Sequence, residues 1–322
     1  MPKRRKPFMR QQPSGRLTPT AATTTVLHGI LTHEGMLSQR QIVRRFFPGC
    51  TSTWPETRLT QYFDHRLLNK HDASFVNGEQ LGEIVYTLDT AGARYISSQR
   101  CGACGYLDPQ RDPQAQPPCG QCGNVNPRQP LAEAAAALRW RRKPRWSTLA
   151  HDLQINDFRI AVTLAAQASP VFKLMQWISE YELSQKIKTY GRMDGFFRLR
   201  RPSATCPGQT EELAILPEID MATHPLERFV KRKVKPALSF VGSKKYEQTF
   251  GVSYGTCFVI TTGQGRLAHL KAKTEEAGGR GRFYFTTLDQ VTEATALTEP
   301  IWQVAGSEVC FSLANLPLRP GF

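Results

Sequence analysis

The 322-residue chain contains no run of 18 or more apolar residues, which excludes a conventional membrane-spanning helix. Its basic start, MPKRRKPFMRQQPSGRL, is not followed by an apolar stretch. It therefore does not read as a secretory signal, and a cytoplasmic protein is expected. Cysteine is sparse, at eight residues, and Cys50, Cys206, Cys257 and Cys310 are scattered. In a reducing compartment this excludes a disulfide framework and leaves a metal site plus ordinary buried thiols. Acidic residues are short: 27 Asp and Glu against 42 Lys and Arg leave a net charge of +15. An excess of that size points to a polyanionic partner, nucleic acid first, with a merely solvated basic surface as the alternative.

What is present supports real cores: 40% of residues are hydrophobic and 17 are Phe. The length suits two domains with a small third module. Residues 1–20 read as a flexible basic arm, with Arg4 and Arg5 placed to meet phosphates. Residues 21–97 read as three short helices, a β-hairpin with an Asn- and Gly-containing turn, and a closing helix. Ser38 and Gln41 are spaced as a capping box for the second helix. Helix, helix, helix and β-wing is the winged helix-turn-helix order. The third helix, read over TSTWPETRLTQYFDHRLL, would then be the recognition helix, offering Arg58, Gln61 and Arg66 to double-stranded DNA. Such domains also serve as protein-docking modules.

Residues 98–130 hold Cys101-x2-Cys104 and, after fourteen intervening residues, Cys119-x2-Cys122. Two CxxC knuckles supply the four thiolates of a tetrahedral zinc ribbon, and because every position is Cys the site is structural, with no ligand position open for catalysis. Residues 131–146 read as a basic helical connector in which Arg141 and Arg142, between Trp140 and Trp146, suit phosphates or simply a solvated helix end. Residues 147–305 alternate helix and strand as an α/β layer. The tail, 306–322, reads as an added strand or a docking peptide.

The stretch LPEIDMATHP carries the chemistry of this last layer. On a strand, Leu216, Glu218 and Asp220 share one face and Ile215, Pro217 and Ile219 the other. Two inward carboxylates need a cation, a lysine or water. Asp157 is placed on the apolar stripe of the preceding helix, Asp194 opens a strand beside Gly195, and Lys233 lies at +4 from Phe229 on the inner stripe of the following helix. The order helix, three strands, helix, strand resembles the PD-(D/E)xK nuclease superfamily, whose restriction-endonuclease-like core is αβββαβ. That resemblance implies Asp194 and Glu218 as ligands of Mg²⁺ or Mn²⁺, with Asp157, Asp220 and Lys233 around the centre. This chain reads E-x-D where the superfamily reads E-x-K, so Lys233 would supply the missing lysine. A working nuclease, a nuclease-like DNA-binding domain and a structural carboxylate–lysine network are the three readings.

The succession MLSQRQIVRRFFP, VYTLDTAGARYI, HDLQINDFRIAVTLA, RMDGFF, PEIDMATHPLERFVKRK, FVITTGQGRL and FYFTTLDQV is similar to that of the replication-relaxation family of plasmid and mobile-element proteins. The resemblance implies a role in plasmid replication and DNA relaxation or mobilisation; a relaxase or replication initiator would be the partner if the last domain binds DNA without cutting it. The histidine cluster of a nicking relaxase is missing.

Overall fold

The computed structural model describes residues 6–13, 15–101, 103–104, 106–107, 118–125, 140–187, 193–203, 206 and 208–316. The chain divides into two compact units, Met1–Leu153 and Gln154–Phe322.

In the first unit, α1 (Ala21–Thr32) is followed by β1 (Met36–Ser38), α2 (Gln39–Phe46), α3 (Trp54–Asp64), β2 (Leu68–Val76), β3 (Glu79–Leu88) and α4 (Thr90–Gln99). Helices α1, α2 and α4 start at side-chain caps, Thr20, Ser38 and Asp89, whereas α3 starts without one. Ser38 accepts from the Gln41 amide at 3.2 Å while the Gln41 side chain returns a bond to the Ser38 amide at 3.1 Å. The same Gln41 side chain donates to the Leu153 carbonyl at 2.7 Å. The strands form an antiparallel sheet in the order β1-β3-β2. Asn77 and Gly78, both at positive φ, close the β2–β3 hairpin, the pairing a tight two-residue turn requires.

The third helix is shorter than expected. It stops at Asp64, and Arg66 sits in the left-handed region at φ 61°. The Leu67 amide bonds back to Tyr62 and the Arg66 amide to Phe63, a closure in which arginine takes the place usually held by glycine. Arg66 therefore lies beyond the helix, not on its face. The arm also differs from expectation. Arg10 reaches the Phe63 and Leu68 carbonyls, pairs with Asp89 at 2.8 Å and stacks over the Phe63 ring.

The second unit takes in most of α5 (Leu149–Ala168). There follow β4 (Lys173–Ser179), α6 (Glu180–Lys186), β5 (Gly195–Pro202), β6 (Thr210–Asp220), α7 (Leu226–Phe229), a π turn (Val230–Val234), α8 (Lys235–Phe240) and α9 (Lys244–Phe250). The chain ends with β7 (Thr256–Thr261), α10 (Gln264–Glu276), β8 (Phe283–Thr287), β9 (Trp302–Val304) and β10 (Cys310–Phe311). One seven-stranded sheet runs β10-β9-β8-β7-β6-β5-β4. Its centre, β6-β7-β8, is parallel and its flanks are antiparallel.

Each face of the sheet is covered. Leu216, Val259 and Phe285 pack against Phe229, Val234, Phe240 and Leu270 on one side. Ile215, Ile219 and Phe258 pack against Phe158, Val162, Trp302 and Leu313 on the other. The expected alternation along β6 is thus what the core uses. Of the two expectations for the tail, the added strand is what forms through Phe311. Arg201, fully buried, pairs with Glu211 at 2.6 Å and donates to the Leu313 and Leu316 carbonyls, tying the tail into the core.

Candidate functional sites

The cysteine quartet assembles from two local turns. The Cys101 amide bonds to Tyr106 and the Cys119 amide to Asn124, each at 2.9 Å, so each knuckle folds back on itself. Backbone amides then point at sulfur. The Cys101 thiol is pulled down to about 6, chiefly by the Cys104 amide, and that of Cys119 is lowered chiefly by the Cys122 amide. The sulfurs lie 3.7 Å apart for Cys101–Cys122 and 3.6 Å for Cys104–Cys119, and all four ligand atoms fall within 4.8 Å of one another. A tetrahedron with metal–sulfur bonds of about 2.3 Å has edges of about 3.8 Å, so the quartet could hold a metal ion such as zinc.

The acidic cluster is built from distant segments of the second unit. Pairing between β5 and β6 ends at Phe197 and Ile215, and Asp194 takes over from the ladder there. Its amide donates to the Pro217 carbonyl at 3.0 Å, and its carboxylate accepts the Ile219 amide at 2.7 Å. Pro217, awkward in a central strand, sits where the chain opposite has already stopped pairing regularly. Gly195 suits the approach, because a Cβ there would sit tightly, 3.1 Å from the Ile178 carbonyl oxygen.

Glu218, 5% exposed, receives Lys233 Nζ at 2.7 Å. Lys233 lies on the π turn, where the Lys235 amide bonds to the Val230 carbonyl. Pro236 follows and has no amide to continue the regular ladder, which accounts for the widened turn. Burial would lower the Lys233 ammonium, but Glu218 and then Asp194 hold it above its ordinary value. Glu218 therefore pairs with Lys233 directly, while Asp194 acts on the same lysine through its charge.

Asp220 goes elsewhere. Arg266, from α10, holds it with two bonds of 2.9 and 3.1 Å, and the Thr261 hydroxyl adds a third at 2.8 Å. Asp157 is half-buried on α5, whereas the fully buried polar groups of that helix are Asp152 and Asn156. Asp152 belongs to the first unit, where it pairs with Arg145 at 2.9 Å. Among the described residues, the four cysteines form the one group of three or more His, Cys, Asp or Glu side chains gathered closely enough to ligate a metal.

Sequence reasoning missed Arg266, Thr261 and Glu180, a further carboxylate whose charge reaches Lys233. A signal for Glu180 was present, since Ser179 and Glu182 form a capping box that ends β4 and starts α6.

Of the residues proposed for DNA, Arg58 and Gln61 lie on α3, with Arg58 donating to Gln61 Oε1 at 3.1 Å. Arg142 is exposed, within 3.3 Å of Asp89, and Arg141 is half-buried. The chain at 140–145 is not helical, and the Thr87 hydroxyl donates to the Arg142 carbonyl at 3.0 Å. Arg4, Arg5 and most of the connector lie outside the described residues.

Among the described residues, no helix is long and apolar enough to cross a membrane. Comparison with curated proteins and with solved structures finds no match. The replication-relaxation family model matches residues 29–252, which is more than half of the chain and runs from the N-terminal helices through the acidic cluster. The chain belongs to the replication-relaxation family.

Proposed function

We propose that this chain is a double-stranded-DNA-binding protein of plasmid or mobile-element replication or mobilisation, acting in the cytoplasm beside its DNA. In this reading the first unit is a winged helix-turn-helix domain. The order α1, α2, α3, hairpin, with β1 added to the hairpin sheet, supports it. The +15 charge supports a nucleic-acid partner. The cysteine quartet is a structural zinc ribbon, closed by four thiolates and without an open ligand position.

The second unit is a nuclease-like α/β domain, and the direct Glu218–Lys233 pair, with the Asp194 charge acting on the same lysine, is the observation that carries this. The donor set fits a hard divalent ion: Asp194 and Glu218 offer carboxylates and Ile219 a backbone carbonyl, the oxygen ligands that Mg²⁺ or Mn²⁺ takes. Such an ion supplies activation of water and charge compensation at a phosphate. Lys233, kept protonated by its two acidic neighbours, acts as a cation and proton donor rather than as a base. Asp220, clasped by Arg266, orients the end of β6.

Incubation of supercoiled plasmid with protein and Mg²⁺ or Mn²⁺ tests the assignment. Nicking by the wild type that disappears in Glu218→Gln is the expected outcome. The direct 2.7 Å contact between Glu218 and Lys233 favours a second reading, in which the cluster is a saturated network and the domain binds DNA without cutting while docking a relaxase or initiator. Retardation of duplex DNA with no nicking in either metal would select that reading. Absence of any salt-dependent retardation would leave a zinc-stapled protein adaptor.

A further inference from the structure

We propose that Arg58 is the base-reading residue of the first unit and that it selects a guanine; this rests on the duplex-binding reading above. Three observations converge on it. Trp54, Arg58 and Tyr62 are spaced at i−4, i and i+4 along α3, so they share one helix face. The Arg58 guanidinium carbon lies 5.6 Å from the Trp54 ring centre and 5.9 Å from that of Tyr62. Its Nη1 is fixed by Gln61 Oε1 at 3.1 Å, and its Nε is buried without a hydrogen-bond partner.

The flanking rings are themselves held. Phe47 meets Trp54 edge-on at 5.3 Å, and the Tyr62 hydroxyl lies 3.1 Å from Thr23 Oγ1. The two rings and the Gln61 bond hold the guanidinium in one orientation before any ligand arrives. A surface arginine meant only to neutralise phosphate gains nothing from such immobilisation, because a phosphate accepts a cation from many directions. With Nε buried and one Nη1 hydrogen taken by Gln61, the fork left for the two acceptors of guanine, O6 and N7, is the remaining Nη1 hydrogen and Nη2, held at fixed orientation. Trp54, 48% exposed at the start of α3, is the positioning residue that keeps the fork in place.

Selection from a randomised duplex library tests this with the full-length, zinc-loaded protein. The wild type is expected to enrich a motif with one invariant guanine. Arg58→Gln should lose the preference at that position by about ten- to a hundred-fold, with other positions and the salt dependence of binding unchanged. Trp54→Leu, which leaves the guanidinium but releases it, should weaken the same position by a smaller factor. It also keeps the test open if Arg58→Gln melts early. An unchanged motif in Arg58→Gln, or a uniform loss of affinity with the salt slope reduced by about one, makes Arg58 a phosphate contact and overturns the proposal while duplex binding stands. Wild-type protein that retards no duplex overturns the DNA-binding reading along with it.

Discussion

The cysteine quartet and the acidic cluster solve the same electrostatic difficulty in opposite ways. Four sulfurs from two short turns close around one point, each knuckle internally hydrogen-bonded, and their full complement of ligands leaves a metal no freedom. The carboxylates of Asp194 and Glu218 come instead from the start of β5 and the end of β6, and their counter-ion is a side chain on the π turn. The first arrangement is local and could hold an ion from outside. The second carries its own cation and depends on the whole sheet being formed. A site that neutralises itself is stable without a ligand, and it must also rearrange its lysine if it is to accept one.

The largest effect that separates the two should come from metal removal. Structural zinc sites contribute on the order of 10 kcal/mol or more of binding free energy. Cys101→Ser or a strong chelator is expected to reduce zinc from about one per chain to background, and to open the chain to protease at the cysteine knuckles, around Cys104 and Cys122. Digestion patterns read by mass spectrometry should show the second unit intact under the same treatment. Zinc-free protein with an unaltered digestion pattern would break the contrast.

Next in size is Lys233→Met. It leaves Glu218, 5% exposed, without its direct partner, and Asp194, 4% exposed, without the nearby positive charge. Removing one partner of a buried pair costs about 3 kcal/mol or more. Because the lysine side chain is 22% exposed, the lower end applies, visible as a fall in the urea midpoint. Adding Glu218→Gln to Lys233→Met should recover part of the loss. No recovery would mean that the lysine stabilises the fold by packing its stem, not by charge.

Which parts of this were legible beforehand follows from how far apart the interacting residues lie in the chain. The cysteine quartet, which could hold a metal ion, announces itself by spacing, since each knuckle is a single turn. The β6 alternation was equally plain, because a period of two puts Glu218 beside Leu216 and away from Ile219 whatever else the chain does. Lys233 was found by its place on the Phe229 stripe, a local pattern that happened to aim at Glu218. Arg266 was not found: it lies 46 residues from Asp220 in sequence, and only the parallel pairing of β6 with β7 brings α10 to that carboxylate. The tail was equally opaque. Nothing local in it indicates that a buried arginine on β5 would hold its carbonyls.

A smaller effect tests the division of labour along β6. Arg266→Lys keeps the charge opposite Asp220 but gives up the two-point clasp, as well as the bond to the His224 carbonyl at 2.8 Å. Hydrogen bonds to charged groups contribute about 1.5–3 kcal/mol, and a lysine should retain part of this, so a loss of about 1 kcal/mol is expected by urea titration. If Asp220 orients the strand and does not react, any nicking activity should fall far less in Arg266→Lys than in Glu218→Gln. Equal losses would place Asp220 in the reacting centre after all.

The gentlest test uses pH, and it should drive the two sites in opposite directions. Zinc binds thiolates, so protons compete with the metal and the cysteine site weakens as pH falls. For Lys233 the folded-state pKa lies above its ordinary 10.5, because Glu218 and Asp194 favour the charged form. Below about 10.5 the ammonium is present in both folded and unfolded chains, and its full contribution is retained. Above that value the unfolded chain releases its proton first, and stability drains away as pH rises through the folded pKa. The slope cannot exceed about 1.4 kcal/mol per pH unit for one group. Other side chains titrate in the same range, so the informative quantity is the difference in urea midpoint between wild type and Lys233→Met. That difference should stay constant from about pH 8 to 10 and shrink above it. A difference that instead narrows toward neutral pH would mean that Lys233 releases its proton in the physiological range, and the cation role assigned to it would give way to that of a base.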